Sequence, residues 1–351
     1  VKALVLAGGS GTRLRPITHT SAKQLVPLAN RPILFYGLDA IAAAGIREVG
    51  LVVGEFEPAF RAAVGNGDEF GLEVTYLRQD FPRGLAHGVL IARDFLGDEP
   101  FLMYLGDNVV VGGVTDFVRQ FEKASPDALV LLAHVDRPEQ FGVAELDAQG
   151  RLVGLVEKPK VPRSDLALVG AYLFGPAIHE AVATIEPSGR NELEITDAIQ
   201  WLVANGKVVD TQVLERPFID TGKLQDLLEA NTIVLGAIEG RVDGAVDGES
   251  ELVGQVIVET GARVVRSRIL GPAVIGTGAL VEGSTVGPGV SVGPGCVVVD
   301  ATLEHSVLLE GACVEGVSRV VDSLLGRNAR VSRSDGPHRL VLSDDSEISL
   351  S

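Results

Sequence analysis

The run Leu6-Ala-Gly-Gly-Ser-Gly-Thr-Arg-Leu14 sets a glycine-rich turn before an arginine. Glycines let backbone N–H groups approach an anion closely, and the planar guanidinium of Arg13 matches phosphate oxygens, so the segment reads as a phosphate site. It is not a Walker loop, because no Gly-Lys-Ser/Thr follows, and Leu14 stands where the dinucleotide fingerprint needs its third glycine. A plain strand-to-helix turn is the alternative. Lys23, in Ser21-Ala-Lys-Gln-Leu-Val-Pro27, is either a solvated lysine or a second cation over the same phosphates. Asp107, in Leu105-Gly-Asp-Asn108, and Asp220, in Pro217-Phe-Ile-Asp-Thr-Gly222, each close an apolar run. A turn-forming Asp-Asn pair would account for the first and a helix cap for the second. With bound phosphates, the same two carboxylates make a magnesium site, since that ion takes few protein oxygens and uses phosphate for the rest. Glu157-Lys158-Pro159 offers an acceptor for hydroxyls beside a cation for a phosphate; on its own it would be a surface charge pair.

Strands and helices must bring these residues to one edge. Lys2–Ala7 is strand-like, Pro32–Ala44 has helical periodicity and stops at Gly45, and Glu48–Val53 is the next β-branched run. Val74–Leu77, Phe101–Leu105 and Ala128–Val135 continue the series. The pattern predicts an α/β fold, a Rossmann-like mostly parallel sheet with helices on both faces and ligands at the carboxyl ends of its strands.

The last third is built differently. No aromatic residue lies beyond Phe218 and no lysine beyond Lys223, and the Gly- and acid-rich stretch 236–251 reads as a linker. Beyond it, Leu252, Val258, Val264, Ile269, Ile275, Val281, Val286, Val292, Val298, Leu303 and Leu309 recur at steps of 6, 6 and 5, a cycle of 17 residues. Ala262, Ala279, Cys296 and Cys313 keep the same step with small side chains. A three-sided coil of short parallel strands explains both series, with Gly and Pro-Gly at its corners. An ordinary sandwich of short strands or a disordered Gly-rich tail is the alternative, and four in-phase aliphatic stacks favour the coil. The expected organisation is a catalytic domain over 1–236, a linker over 237–251, a parallel β-helix over 252–333 and a tail over 334–351. Cysteines one coil apart stand at a strand spacing of about 4.7–4.9 Å, which permits a disulfide, but two reduced thiols filling small slots is the expectation.

Composition bounds the function. With 351 residues, 46% of them hydrophobic and 22% charged, the chain exceeds what one core normally covers. A net charge of −17 repels phosphate backbones and anionic headgroups, so neither nucleic acid nor membrane is the expected partner. Two cysteines and no leader pattern make a cytoplasmic protein the default.

In chain order, GGSGTRLRP (8–16), SAKQLVP (21–27), LGDN (105–108), EKP (157–159), ELEITD (192–197) and IDTG (219–222) resemble the motifs of sugar-1-phosphate nucleotidylyltransferases over nearly the whole chain. Lys-Gln-Leu after the lysine is most similar to the glucose-1-phosphate thymidylyltransferase group, and the tail to its long form, whose coil is a left-handed β-helix. The resemblance implies magnesium-dependent transfer of a thymidylyl group from dTTP to glucose 1-phosphate, with release of pyrophosphate, for deoxysugar biosynthesis. It places Gly8, Gly9, Gly11, Thr12, Arg13, Lys23 and Gln24 on the nucleotide phosphates, and Gln79 and Gly84 on the thymine base. It places Gly142, Glu157 and Lys158 on the sugar phosphate, and Asp107 and Asp220 on Mg2+, with Arg13, Lys23 and Asp107 carrying catalysis. His87 departs from the glutamine of the short forms at the base wall. The chemistry agrees with these roles: two anions must be held together against their repulsion, and an ionised phosphate needs no general base. Three alternatives stand beside this one: a UTP-using relative, a non-catalytic scaffold subunit, and an acetyltransferase on the coil with His305 as base. The scaffold would be marked by loss of a charged ligand, and all four of Arg13, Lys23, Asp107 and Asp220 are kept. Aliphatic coil surfaces lead us to expect a homo-oligomer.

Overall fold

The computed structural model describes residues 1–9, 11–215 and 218–349, without the side chains of 218–220 and 334–335. It divides into two compact units, Val1–Ser10 with Leu34–Ile219, and Gly11–Ile33 with Asp220–Ser351. This differs from the expected boundary at 236, because the segment 11–33 and the helix Leu224–Ala237 fall in the unit that holds the coil.

The first unit is organised by a nine-stranded sheet. Four strands form its parallel core, in spatial order Phe101–Leu105, Lys2–Leu6, Glu48–Val53, Glu73–Arg78. The two central strands of these four read as nearly unbroken apolar runs because helices cover both faces of such a sheet. Each crossover carries a helix: Ile33–Ala43, then Glu57–Val64, then Leu85–Ile91 with Arg93–Leu96. On the other side of Phe101–Leu105 the sheet turns antiparallel through Leu166–Phe174, Gly142–Leu146 and Leu152–Glu157. Ala128–His134, expected to extend the parallel set, pairs antiparallel with Leu166–Phe174 and parallel with Val209–Val213. An apolar run reports burial, not direction, so the sequence could not tell these arrangements apart.

The carboxyl ends of the four parallel strands share an edge. Ala7 N–H donates to Val52 C=O at 2.8 Å, Gln79 N–H to Val53 C=O at 2.8 Å, and Gly106 N–H to Leu6 C=O at 2.9 Å. Gly8, Gly54, Gln79 and Asp107 therefore leave the sheet side by side.

In the second unit the coil has three faces of short parallel strands, and three inward stacks hold it together. Val258, Ile275 and Val292 form one, Val264, Val281 and Val298 another, and Leu252, Ile269, Val286, Leu303 and Val320 the third. The cycle shortens once. Val292 stacks on Leu308, not on Leu309, because the corner after Leu303 holds Glu304 and His305 where the preceding coil has Gly287, Pro288 and Gly289. The small-residue column accordingly runs Ala262, Ala279, Cys296, Ala312, Ala329, and Cys313 pairs instead with Val297. Both cysteines are free thiols.

The expected linker is part of the coil. Arg241–Val242, Ala245–Val246 and Glu251–Val253 pair with Val256–Val258, Arg263–Val265 and Arg268–Leu270. The expected tail is coil as well, since Val341–Leu342 pairs with Leu324–Leu325 and Glu347–Ser349 with Arg330–Ser332. Composition suggested a loop at both ends because terminal coils carry more polar residues than the stack between them. No helix among the described residues is long and apolar enough to cross a membrane.

Candidate active site

In the first unit, Gln79 follows its strand directly and its carboxamide is fixed from two sides. A Cβ on Gly8 would lie 2.7 Å from Gln79 Oε1, so only glycine lets the two meet. The Gln79 Nε2 group donates to His87 Nδ1 at 2.9 Å, which makes His87 a neutral acceptor there. Burial, and then the positive charge of Arg83, hold the His87 ring below the ordinary histidine range. Gly84 takes φ +95°, and a Cβ on it would fall 2.3 Å from Leu193 C=O, so a second glycine permits a close backbone approach. Ala86 N–H donates to Leu193 C=O at 3.0 Å and Leu193 N–H to Arg83 C=O at 2.7 Å, stitching the 83–86 loop to the Glu192–Asp197 motif.

Asp107 lies one residue beyond Gly106 at the same edge. Asn108 is buried, and with its carboxamide turned to satisfy both neighbours it donates to Asp107 Oδ1 at 3.1 Å and accepts from Gly170 N–H at 3.3 Å. Gly170 is glycine for a visible reason: a Cβ would stand 2.0 Å from that carboxamide. Tyr104 OH donates to Asn108 C=O at 3.0 Å, and burial drives the phenol far above its usual range.

Gly142 and Glu157 face each other across an antiparallel register. Glu157 Oε2 accepts from Thr196 Oγ1 at 2.7 Å, and Oε1 accepts from Arg190 Nη2 at 2.9 Å with Lys158 Nζ at 3.2 Å. A Cβ on Gly142 would lie 2.8 Å from Thr196 Oγ1. Arg190 also binds Glu194 Oε1 at 2.8 Å, and Ser188 Oγ donates to that oxygen at 2.7 Å. Burial, then Glu194 and Glu157, raise the Asp197 carboxyl above the ordinary range. Lys158 holds a left-handed backbone, φ +41°, while its N–H donates to Phe141 C=O at 2.9 Å. Sequence reasoning gave Arg190, Glu194 and Thr196 no role. The Glu192–Asp197 motif was the available signal, but nothing in its spacing says that it closes on Glu157.

In the second unit, Gly11 adopts φ +57° and leads into the short turn Thr12–Leu14, which leaves Thr12 and Arg13 exposed. A Cβ on Gly11 would lie 3.0 Å from Lys23 Cβ, and Thr18 Oγ1 donates to Gly11 C=O at 2.8 Å, so the glycine turn and the lysine turn pack together. Lys23 is 7% exposed and Gln24 3%, which removes the reading of Lys23 as a solvated surface lysine. Gln24 Oε1 is buried and takes no hydrogen bond among the described residues. Gly9 is exposed at the end of its loop. Asp220 ends the strand Phe218–Asp220, and its side chain lies outside the described residues. Among the described residues no three His, Cys, Asp or Glu side chains gather as a metal cage. On the coil, His305 Nδ1 pairs with Asp322 Oδ1 at 2.6 Å.

Residues 2–236 match the model of the family described as nucleotidyl transferase. Along its whole length the chain is 57% identical to a glucose-1-phosphate thymidylyltransferase of Streptomyces griseus, covering 100% of both proteins. It is 43% identical, over 100% of both, to the low-salt glycan biosynthesis nucleotidyltransferase Agl11 of Haloferax volcanii. Among solved structures, a Bacillus anthracis chain assigned as a glucose-1-phosphate thymidylyltransferase, in complex with a sucrose, is similar with TM-score 0.63 and 33% identity, over 66% of this chain and 94% of that one.

Proposed function

The chain belongs to the nucleotidyl transferase family, and on that premise we propose that it transfers a thymidylyl group from dTTP to glucose 1-phosphate. The observation that carries the reading is similarity at 57% identity over the whole of both chains, coil included, to an enzyme of that name. A phosphate oxygen of the sugar attacks the α-phosphorus, the bond to the bridging oxygen breaks, and pyrophosphate leaves with the electron pair. The attacking oxygen is already ionised, so no side chain has to remove a proton.

In this reading the protein's work is placement and charge. Gly8, Gly9, Gly11 and Thr12 receive the nucleotide phosphates on backbone N–H groups, and Arg13 and Lys23 offset their charge. Gln24, buried next to Lys23 in the same turn, stands beside the α-phosphate in this reading. Gln79, its carboxamide set by His87, presents a fixed donor and acceptor edge to the base, and Gly84, whose close approach to Leu193 fixes the 83–86 loop, lies on the same wall in this reading. Lys158 takes the sugar phosphate. Glu157, beside Gly142, accepts from sugar hydroxyls on the remaining acceptor positions of a carboxylate that Arg190 and Thr196 hold in place. The carboxylates of Asp107 and Asp220 are hard oxygen donors of the kind magnesium takes, and Asn108 holds the first in place. Bound there, the ion would neutralise charge on the reacting phosphate.

The test is pyrophosphate release from dTTP and glucose 1-phosphate with magnesium, run against UTP and other sugar 1-phosphates. Turnover of another pair in preference to this one would overturn the substrate assignment. We also read the enzyme as a cytoplasmic homo-oligomer, with Leu280, Val297 and Val299 on an outer coil face as the apolar surface available for assembly. A monomer mass in light scattering would contradict that part.

A further inference from the structure

Asn231, on the helix Leu224–Ala237, is wholly buried and spends its carboxamide on three partners from two other elements. Its Oδ1 accepts from Ala29 N–H at 2.8 Å and from Ser291 Oγ at 2.7 Å, and its Nδ2 donates to Gly289 C=O at 3.1 Å. Ala29 and Asn30 form the tip of the hairpin Pro27–Leu28 with Arg31–Pro32, both in left-handed backbone at φ +48° and +63°. Asn30 Nδ2 adds a bond to Val292 C=O at 2.9 Å. Ser291 and Gly289 belong to the coil.

The coil's own sequence is adapted to this contact. Down the outer face of that side the column reads Ile257, Val274, Ser291, Val307, Leu324, all buried. Ser291 is the single polar residue of the five, and its hydroxyl points at Asn231. From the hairpin the connection passes to the phosphate-binding segment by backbone bonds, Ile33 N–H to Val26 C=O at 3.1 Å and Val26 N–H to Lys23 C=O at 3.1 Å. Lys23 in turn packs on Gly11. A second tie lies on the same segment, where Thr20 Oγ1 donates to Asp344 Oδ2 at 2.8 Å from the last coil.

We propose that Asn231 is a positioning residue that locks the Lys23–Gln24 turn to the coil, so that the coil sets the geometry of the nucleotide-phosphate segment. A buried carboxamide with every polar atom engaged fixes one arrangement of three elements, since any slippage would leave groups unpaired away from water. The tether is independent of the substrate. Its kinetic consequence rests on the thymidylyl-transfer reading.

The experiment compares full-length Asn231→Leu and Ser291→Ala with Ser284→Ala, a buried coil serine that accepts from Ala301 N–H at a corner of the coil. Hydrogen exchange of the free protein should quicken at least tenfold at Val26 and Ala29 in Asn231→Leu, less in Ser291→Ala, and not in Ser284→Ala. kcat should fall at least tenfold in Asn231→Leu with the KM for glucose 1-phosphate within twofold of wild type. Unchanged exchange at Val26 and Ala29 overturns the tether. Faster exchange with kcat and the KM for dTTP within twofold of wild type overturns the positioning role. Should Asn231→Leu fail to fold, Ser291→Ala carries both measurements. A wild-type protein inert toward dTTP and glucose 1-phosphate would refute the substrate reading, and the exchange comparison would still decide the tether.

Discussion

Thr196→Val isolates one bond in the sugar end of the site. Thr196 is 1% exposed, so valine fills its space and removes only the Oγ–H that donates to Glu157 Oε2 at 2.7 Å. Hydrogen bonds to a charged partner contribute about 1.5–3 kcal/mol. Glu157 is 20% exposed and water recovers part of that, which favours the lower end, about 1.5 kcal/mol. At about 1.4 kcal/mol per factor of ten, the carboxylate loses its placement by roughly tenfold. Arg190 and Lys158 still hold Oε1, so the group turns toward them and away from the position at which Oε2 would meet a hydroxyl. The assay is initial-rate pyrophosphate release with glucose 1-phosphate varied at saturating dTTP. The KM for glucose 1-phosphate should rise about tenfold, the KM for dTTP should stay within twofold, and Thr196→Ser should restore most of the loss. A KM for the sugar phosphate unchanged in the valine variant, or a serine variant as weak as valine, would refute the role given to this bond.

Other substitutions separate the remaining roles. Lys158→Ala should chiefly raise the KM for glucose 1-phosphate, whereas Asp107→Ala should abolish turnover while dTTP still binds; equal mild effects would contradict both assignments. His87 sits below its ordinary value of about 6.5 because burial and then Arg83 oppose the charged ring, so near pH 6 the unfolded chain binds more protons than the folded one. This group's contribution to stability is therefore lost as the pH falls through the ordinary histidine value toward the lowered one. Once protonated, Nδ1 would confront the Gln79 Nε2 group as a second donor, so the KM for dTTP should climb as the pH falls below the ordinary histidine value, more steeply than in His87→Gln. Parallel profiles would remove His87 from base recognition. Thiol titration of the unreduced, denatured protein should find both cysteines free, while native Cys296, with its thiol pushed up to about 12 by burial, should not react; a missing thiol after denaturation would indicate a disulfide.

What the sequence made legible was whatever repeats or carries an uncommon residue pattern. The inward aliphatic stacks of the coil were countable because each coil presents the same side chains to the same prism, and Leu252 through Val320 follow that count. Cys313 shows the limit. A corner shorter by one residue after Leu303 shifts the register, and periodicity carried past that point places a thiol where Ala312 sits. The same holds at the candidate site. Gly8, Gln79 and Glu157 stand in short patterns whose residue types suggest their chemistry, whereas Thr196 and Asn231 act only through partners far away in the chain, and Arg190 reaches Glu157 across 33 residues besides its local bond to Glu194. Thr196 meets Glu157 across 39 residues and Asn231 meets Ala29 across 202, and no local signal encodes either closure. A linker and a tail were expected, yet residues 241–253 and the described residues beyond 334 pair as coil strands. Backbone pairing between parallel strands is indifferent to side-chain polarity, so polar residues at the ends of a stack can keep the hydrogen-bonded ladder while losing the apolar signature by which it is recognised. The coil then reaches from residue 241 onward, so the helix before it, which carries Asn231, runs almost directly into coil strands where a flexible joint was expected over 237–251.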